Sequence, residues 1–405
     1  MSAKHILKKI MPRQLFLVYY WVVELLWAAL YGFPARGMKV LVITGTKGKS
    51  STAYLATRIF EDVGIPIALL STIEFRIKGK GKLNDLKMTQ PGRKTLQSFL
   101  RRARSAGVTH VIAEVTSEGI MQSRHRFLFA STALFTNLSP EHIEAHGGFE
   151  RYKAAKQRLF QEVARRGSRG TIIVNADDPH AESFKMRGER RLITYSLKDS
   201  STKLKLHLPG EYNQYNALAA MTLAESEGIS RSQCLQTLAS MTNIPGRGEY
   251  INEGQNFSVI VDYAHTPDSL KQFYGAVAAR HPKARMICVL GSAGGGRDAW
   301  RRPELGKIAA EYCDVSIITN EDPYAEDPQK IIDEVKNGAV QVAASNKHNV
   351  LTILDRREAI ARAIHEAYKG DVVVITGKGS EQKLMTADGP IDWDDRVEAR
   401  RMLRA

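Results

Sequence analysis

A glycine- and lysine-rich segment follows the first run of β-branched residues, Lys39–Thr44. It reads Gly45-Thr46-Lys47-Gly48-Lys49-Ser50-Ser51. A loop of this kind between a strand and a helix turns its backbone N–H groups toward phosphate oxygens, and the helix N-terminus adds positive potential. Lys49 would supply a point charge to the terminal phosphates, and Ser50 would hold the magnesium ion that bridges them. The segment predicts a nucleoside triphosphate site, although Ile43 stands where the Walker consensus has its first glycine.

A second glycine-rich segment lies much further along the chain. It reads Gly294-Gly295-Gly296-Arg297-Asp298-Ala299 and has Glu321 behind it. A G-x-G-x-x-A pattern after a strand, with an acidic residue about twenty positions later, is typical of dinucleotide-binding domains. A single match of this kind is a weak signal, and the first loop is the better phosphate site. We therefore interpret the second segment as a substrate loop at the end of a strand.

The elements that position these loops are short β-branched runs alternating with stretches of helical length. In the first half we predict strands at Lys39–Thr44, Ile67–Ser71, His110–Val115, Ala133–Asn137 and Thr171–Asn175, and helices at Lys49–Asp62, Arg93–Ala106 and Phe149–Ala164. Such alternation indicates an α/β fold whose parallel sheet is covered on both faces.

A second series begins after Pro245-Gly246. Its predicted strands are Ser258–Asp262, Met286–Leu290, Val315–Thr319, Val350–Leu354 and Val372–Thr376. We therefore divide the chain into a hydrophobic helix segment (1–38), a central P-loop-type ATPase domain with a parallel sheet (39–245), and a C-terminal Rossmann-like α/β domain (246–405).

Composition narrows the class of protein. The chain has 405 residues, which predicts about two to three domains, and its formal charge of +15 favours anionic partners. No aromatic and basic RNA-binding motif is visible, so we expect no nucleic acid partner. We also expect that the protein is a monomer and that it acts on small molecules. Cys234, Cys288 and Cys313 show no C-x-x-C spacing and are odd in number, which indicates a reducing cytoplasm without disulfide or zinc.

The N-terminal run Leu15–Tyr31 is apolar and aromatic, interrupted by Glu24 and preceded by Lys4, Lys8, Lys9 and Arg13. It lacks the small-residue cleavage site of a signal peptide and is at the short limit for a membrane span. Two interpretations stay open. The run is either a helix lying on the cytoplasmic face of a membrane, with Trp21 and Trp27 at headgroup level, or a helix packed on the next domain.

From Lys39 to the C-terminus the sequence resembles the Mur ligases, most closely the muramyl-tripeptide synthetase branch. Glu114-Val115-Thr116-Ser117 is similar to a segment whose glutamate binds magnesium, and Thr136–Gly147 resembles a segment that contributes His142. Tyr152–Lys156 matches the stretch whose last lysine is carbamylated. A protonated Lys156 would be repelled by magnesium, whereas its carbamate is an anionic oxygen ligand. The resemblance implies the metal ligands Ser50, Glu114, His142 and Lys156.

The resemblance also implies a nucleotide site. Asn213 and Asn216 would lie near adenine, because an amide carries both a donor and an acceptor. Asp262, in the diagnostic string Val261–Asp268, would accept hydrogen bonds from the ribose, while Arg247 and His265 would approach the phosphates across the domain cleft. The catalytic residues implied are Lys49, Glu114, His142, Lys156 and His265.

Substrate contacts are expected from Thr89, Ser117, Gln122, Arg124, Asp322, Tyr324, Gly377 and Glu381. Glu321-Asp322-Pro323-Tyr324 stands where diaminopimelate-adding relatives carry D-N-P-R. The arginine for the distal carboxylate is missing, so lysine or another amine is as well supported as diaminopimelate. Gly377-Lys378-Gly379-Ser380-Glu381 resembles G-K-G-H-E and keeps Glu381 as a partner for the incoming amino group.

The activity implied is ATP- and magnesium-dependent amide formation through an acyl phosphate, in peptidoglycan synthesis and hence in cell wall formation, cell shape and division. Only 38 residues precede the central domain, so we expect the family's uridine-nucleotide-binding domain to be absent. A folylpolyglutamate synthetase is an alternative, and a nucleic-acid-stimulated NTPase is a further one. The D-Y-A-H-T-P string beginning at Asp262 favours the Mur ligases.

Overall fold

The computed structural model describes residues 13–141, 146–186, 188, 191–199, 204–297, 299–343 and 348–405. These residues form two compact units. The first contains the described residues of Met1–Lys82, Met88–Lys205 and Gln214–Ala239. The second contains those of Leu83–Lys87, Leu206–Asn213 and Ser240–Ala405.

The first unit is built on an eight-stranded sheet. Its strands are β1 (Lys39–Thr44), β2 (Ile67–Leu70), β3 (Glu74–Ile77), β4 (Lys80–Leu83), β5 (His110–Glu114), β6 (Thr132–Phe135), β7 (Thr171–Asn175) and β8 (Arg191–Tyr195). The order is β4-β3-β2-β5-β1-β6-β7-β8. The six strands that stand from β2 to β8 in this order are parallel to one another, and β3 is antiparallel to β2. β1 lies in the middle and is buried from Val40 onward, as expected for a parallel strand apolar on both faces.

Helices cover both faces of this sheet. They are α1 (Arg13–Leu30), α2 (Lys49–Asp62), α3 (Arg93–Ser105), α4 (Ser117–Met121), α5 (Phe149–Ala164), α6 (Glu211–Ser226) and α7 (Arg231–Ser240). The core on one face includes Phe99 from α3, Phe135 from β6 and Phe160 from α5. The predicted α/β class is therefore confirmed, with strands and helices close to the bounds that the sequence indicated.

The second unit has a six-stranded sheet of order β13-β12-β11-β14-β10-β9. The strands are β9 (Glu249–Ile251), β10 (Ser258–Asp262), β11 (Met286–Leu290), β12 (Val315–Thr319), β13 (Asn349–Ile353) and β14 (Val372–Thr376), and β15 (Lys383–Thr386) pairs with β16 (Gly389–Asp392). Only β9 is antiparallel within the described sheet. The helices are α8 (Pro267–Arg280), α9 (Arg301–Tyr312), α10 (Pro328–Ala343), α11 (Arg356–His365) and α12 (Asp395–Arg404).

The expectation of no disulfide is wrong. Cys288 in β11 and Cys313 after α9 form a disulfide with a Cα–Cα distance of 6.2 Å, and Cys234 is a buried free thiol. An odd number of cysteines still allows one pair. Both partners lie in the same hydrophobic core, which brings together two positions 25 residues apart. Spacing along the chain does not show that contact.

Helix α1 packs on α3 through a polar contact. The carboxylate of Glu24 is fully buried, 3.1 Å from Arg93 Nε and 3.2 Å from Gln97 Nε2, which donates to it. Tyr20 and Ala28, one turn to either side, are buried with it. The structure therefore shows the helix packed on α3 of the same unit, with its single acidic residue inward. Within the described residues, no helix combines the length and hydropathy that crossing a membrane requires.

Glu24 should make stability depend on pH. Burial raises the pKa of its carboxyl from 4.5 to about 7, against the opposing effects of Gln97, Arg93 and Arg124. Between these values the folded chain keeps a proton that the unfolded chain has lost, so the free energy of unfolding falls as pH rises. Glu24→Gln, which does not titrate, removes this contribution of up to about 3 kcal/mol.

The measurement is thermal unfolding of both proteins at pH 5, 6, 7 and 8. We expect the melting temperature of Glu24→Gln, relative to the wild type, to rise steadily across this series. The comparison cancels the titration of other buried carboxyls. A difference that stays constant with pH would contradict the prediction.

Candidate active site

The loop between β1 and α2 requires glycine at two positions. Gly45 has φ +153° and Gly48 has φ +78°. A Cβ at Gly45 would lie 1.9 Å from Thr136 Oγ1, and one at Gly48 would lie 2.2 Å from Asn216 Oδ1. Gly48 also forms the N-cap of α2. The loop therefore presents its backbone at the N-terminus of a helix, the arrangement that binds phosphate.

Residues after β6 hold this loop in place. Thr46 N donates to Asn137 O over 2.8 Å, and Lys47 N donates to Asn137 Oδ1 over 2.8 Å. Thr136 Oγ1 donates to Lys47 O over 2.8 Å. The Thr136–Asn137 pair, which the sequence indicated only as part of a longer string, therefore supports the loop.

Two lysines of the loop have different partners. Lys47 Nζ lies 3.2 Å from a carboxylate oxygen of Glu141. Lys49 Nζ donates to Thr46 O over 2.7 Å, which folds its side chain back along the loop. Lys49 is thus held beside the backbone N–H groups that would face phosphate.

Ser50 and Glu114 come together at the start of α2 and the end of β5. Ser50 Oγ donates to Glu114 Oε2 over 2.9 Å, and Thr72 donates to the same oxygen through N and Oγ1 over 2.9 and 3.0 Å. Thr72 Oγ1 is also 2.8 Å from Thr89 Oγ1. A hydroxyl and a carboxylate beside a phosphate loop form the donor set that magnesium takes when phosphates and waters supply the other ligands.

Lys156 is buried beneath the loop between β1 and α2. Its Nζ donates to Gly45 O over 2.8 Å and lies 4.7 Å from the centre of the Tyr152 ring. Burial, aided by the nearby charge of Lys49, holds the pKa of this amine well below its usual value. His142 lies outside the described residues, and within those described no three His, Cys, Asp or Glu side chains form a metal cluster.

A second group of predicted residues surrounds the end of α4. Arg124 donates to Gln90 O over 2.8 Å and to Gln122 Oε1 over 2.7 Å. Arg93 donates to Gln122 O over 2.7 Å, so both guanidiniums meet at Gln122. Ser117 is buried in the first turn of α4. Burial, together with the charge of Arg93, lowers the pKa of Arg124.

In the second unit, Asp262 ends β10 with its carboxylate buried. Its two oxygens accept from Gly248 N and Ala264 N, each over 2.7 Å. Burial raises the pKa of this carboxyl to about 6. The backbone of the neighbouring segments is therefore tied to the residue that the resemblance assigns to the ribose.

Arg247 and His265 flank Tyr263. The Arg247 guanidinium carbon lies 4.1 Å from the centre of the Tyr263 ring, and His265 Nδ1 is 2.8 Å from Tyr263 O. Thr266 and Ser269 form a capping box at the start of α8. The three predicted residues of this unit thus lie together at the carboxyl end of β10, where ligands bind in open α/β sheets.

Four charged residues form a cluster at the ends of β12 and β14, all within the second unit. Lys378 Nζ lies 2.7 Å from Asp322 Oδ1 and 2.9 Å from Glu381 Oε2. Lys87 forms ion pairs with the same two carboxylates. Although burial opposes it, the two ammonium groups lower the pKa of Glu381. Two carboxylates and two ammonium groups thus balance one another in this cluster.

Tyr324 and Gly377 border this cluster. A Cβ at Gly377 would lie 2.1 Å from Glu321 Oε2, so the loop after β14 passes directly over that buried carboxylate. Burial raises the pKa of Glu321 to about 7. The Tyr324 side chain lies against Gly295, and Gly294 N donates to Asp322 O over 2.9 Å. The second glycine-rich segment is thus a strand-end loop beside the cluster.

Sequence reasoning found most of these residues but missed others. Asn213, whose amide donates to Pro209 O over 2.7 Å, belongs to the second unit, whereas Asn216 belongs to the first. Lys87 was missed because its partners come from distant segments. Lys378 belongs to the Gly377–Glu381 string. The lysine of that string is the signal from which its place in the cluster could have been predicted.

The chain is similar to known proteins over most of its length. The Mur ligase middle domain matches residues 43–224, and the Mur ligase glutamate ligase domain matches residues 246–379. A UDP-N-acetylmuramoyl-L-alanyl-D-glutamate–2,6-diaminopimelate ligase of Syntrophomonas wolfei is 35% identical over 94% of this chain and 81% of its own. A UDP-N-acetylmuramyl-tripeptide synthetase of Roseiflexus is 35% identical over 93% of this chain and 80% of its own.

Solved structures show the same fold. A UDP-N-acetylmuramoyl-L-alanyl-D-glutamate–2,6-diaminopimelate ligase superposes with a TM-score of 0.60 and 28% identity, covering 91% of this chain and 79% of its own. Mycobacterium tuberculosis folylpolyglutamate synthase, solved with ADP, gives a TM-score of 0.69 at 16% identity, covering 93% and 95%.

Proposed function

Because the chain belongs to the Mur ligase family of ATP-dependent, amide-forming ligases, we propose that it joins an amino acid to a muramyl-peptide carboxylate in peptidoglycan synthesis. The acceptor we propose is of the UDP-N-acetylmuramoyl-L-alanyl-D-glutamate type, on which the relatives are named as acting. The observation that carries the proposal is the Ser50–Glu114 pair beside the glycine loop that begins at Gly45. ATP as the energy source supports a cytoplasmic reaction.

The chemistry starts with a carboxylate, which is a poor electrophile because its charge is delocalised. In the proposed reaction this carboxylate attacks the γ-phosphate of ATP, giving an acyl phosphate and ADP. Lys49 and the loop N–H groups hold the phosphates and offset the charge on the transferring group. Ser50 and Glu114 would hold magnesium, which would supply further charge neutralisation. The amine then attacks the acyl carbon, and phosphate leaves.

We include carbamylated Lys156 in the magnesium site. A buried amine beside Lys49 is poorly suited to carry a second positive charge, and a neutral amine is the form that adds carbon dioxide. The product is a carbamate whose oxygens are hard-cation ligands. Family resemblance at Tyr152–Lys156, together with the burial of Lys156, supports this assignment.

For the incoming amine we propose a diamino acid. Asp322 and Glu381 pair with the ammonium groups of Lys87 and Lys378, which shows that these carboxylates bind ammonium, and in the proposed complex a cationic amine takes the place of one of these lysine groups. Tyr324 offers a phenol where a relative that adds diaminopimelate would offer a guanidinium. A phenol cannot make the bidentate pair that an arginine makes with a distal carboxylate.

We expect the enzyme to prefer L-lysine to meso-diaminopimelate by about tenfold in kcat/KM, since one bidentate ion pair is missing. Tyr324→Arg should shift the ratio toward diaminopimelate by a similar factor. The measurement is mass spectrometry of products formed from ATP, magnesium, UDP-N-acetylmuramoyl-L-alanyl-D-glutamate and a mixture of amino acids.

The matched control is Tyr368→Arg, which makes the same change at an exposed position of the second unit. It should leave the ratio unchanged. Preference for diaminopimelate in the wild type would overturn the assignment of the amine. Failure to form any amide product, with ATP hydrolysed or not, would overturn the proposed ligase reaction.

A further inference from the structure

Helix α1 has two faces of different character. Tyr20, Glu24 and Ala28 are buried against the first unit. The exposed apolar residues of the other face, which we call the outer stripe, are Leu15, Val18, Tyr19, Val22, Leu26 and Leu30. At about 3.6 residues per turn these six positions lie on the side of the helix opposite Glu24. The outer stripe is thus a continuous apolar surface rather than scattered single residues.

The exposure of the outer stripe is high. Leu15 is 52% exposed, Leu26 is 62% exposed and Leu30 is 70% exposed. A contiguous apolar surface of this kind on a folded protein marks a site of interaction with another apolar phase or surface. Glu24 fixes which face remains outside, because its carboxylate is held by Arg93 and Gln97.

Basic residues precede the outer stripe in the sequence and follow it in the structure. At its start the sequence has Lys4, Lys8, Lys9 and Arg13. At its end the exposed Arg101 donates to Tyr31 O over 3.4 Å, and the exposed Arg36 lies 4.3 Å from the centre of the Phe33 ring. Helices that lie in a lipid interface combine an apolar face with cations that meet anionic headgroups. Tyr19, which belongs to the outer stripe, has an amphipathic ring that suits headgroup depth.

These charges also discriminate between partners. A second copy seated on the outer stripe would bring two sets of like charges together, in a chain of formal charge +15. An anionic surface removes this repulsion. We propose that the outer stripe of α1 lies in the interface of an anionic phospholipid bilayer, with the helix axis along the membrane plane. This goes beyond the ligase reaction, because the outer stripe is separate from the residues assigned to chemistry.

The test is sedimentation of the full chain with vesicles of phosphatidylglycerol and phosphatidylcholine, or of phosphatidylcholine alone. The wild type should bind the anionic vesicles and bind the neutral ones at least tenfold more weakly. Binding should also weaken between about 0.1 M and about 1 M salt, where the Debye length falls from about 10 Å to about 3 Å. The double variant Val22→Glu, Leu26→Glu should bind anionic vesicles at least tenfold more weakly than the wild type.

A matched control places the same charges on other exposed apolar residues. Leu192→Glu with Val340→Glu, at positions 43% and 47% exposed, should bind as the wild type does. If the glutamate variant of the stripe does not fold, Leu26→Ser with Leu30→Ser serves instead, with thermal unfolding as the check. Lipid-free ligase turnover should stay unchanged in the stripe variants, which separates this proposal from the proposed reaction.

Three results would overturn the proposal. The wild type could fail to sediment with anionic vesicles at low salt, or the stripe variants could bind as well as the control. The wild type could also be a dimer that the stripe variants convert to a monomer, which would make a second copy the partner of α1.

Discussion

Replacing Lys49 with methionine is expected to lower the turnover of amide formation about a thousandfold. Lys49 is the cation that follows Gly48 at the start of α2, and its ammonium is held by Thr46 O beside the loop N–H groups. Removing a preorganised donor from a site where negative charge develops costs about a hundred- to a thousandfold in rate. Methionine keeps the length and apolar stem of the side chain, so the loss reports on the charge.

The control for this variant is Lys39→Met. Lys39 begins the strand that leads into the loop, and its side chain is 59% exposed and paired with Glu227. The Lys39→Met enzyme should keep the full turnover of the wild type. Steady-state kinetics with saturating ATP, acceptor and amine measure both variants, and thermal unfolding checks that they fold. A Lys49→Met enzyme with more than a tenth of wild-type turnover would contradict the role assigned to this residue.

Lys156→Ala is the second variant with a large expected effect, a loss of about a hundredfold in turnover. If a carbamate at Lys156 supplies an anionic ligand, alanine leaves the magnesium site one oxygen donor short. Short carboxylates such as formate or acetate can enter the space and restore part of the activity. We also expect the wild type to lose activity in buffer depleted of carbon dioxide and to regain it when bicarbonate is added.

Lys153→Ala is the matched control, since Lys153 lies one turn earlier on the same helix and pairs with Glu150 in the described structure. It should behave as the wild type in every buffer. Full activity of Lys156→Ala in buffer depleted of carbon dioxide would contradict the carbamate assignment. So would a loss of activity that no carboxylate restores, because it would indicate a packing role for the amine.

Most strands of the two large sheets could be predicted from sequence because their signals are local. A buried parallel strand such as β1 or β14 is a short apolar run, and the glycine loop directly follows one of them. The loop, Lys49 and Ser50 are contiguous in sequence, and Glu114 ends a strand adjacent to β1. In open α/β sheets, ligands bind at the carboxyl ends of the strands, and this general feature was sufficient to predict that the loop, Lys49, Ser50 and Glu114 lie together.

What could not be predicted depends on contacts between distant segments. Lys87 pairs with Asp322 and Glu381, which are more than two hundred residues away in the chain. The Cys288–Cys313 disulfide and the edge strands β3 and β4 depend in the same way on how elements pack, since their own sequences carry weak signals. The orientation of α1 was open for a related reason, because Glu24 has no local partner.

The burial of Glu24 has a consequence for the predicted substrate contacts. Arg93 contacts Glu24 on one side and donates to the carbonyl oxygen of Gln122 on the other, so a single side chain links the N-terminal helix to a residue predicted to contact substrate. If α1 rests on lipid, the binding of lipid and the binding of substrate near Gln122 share this one guanidinium, so each should alter the affinity for the other.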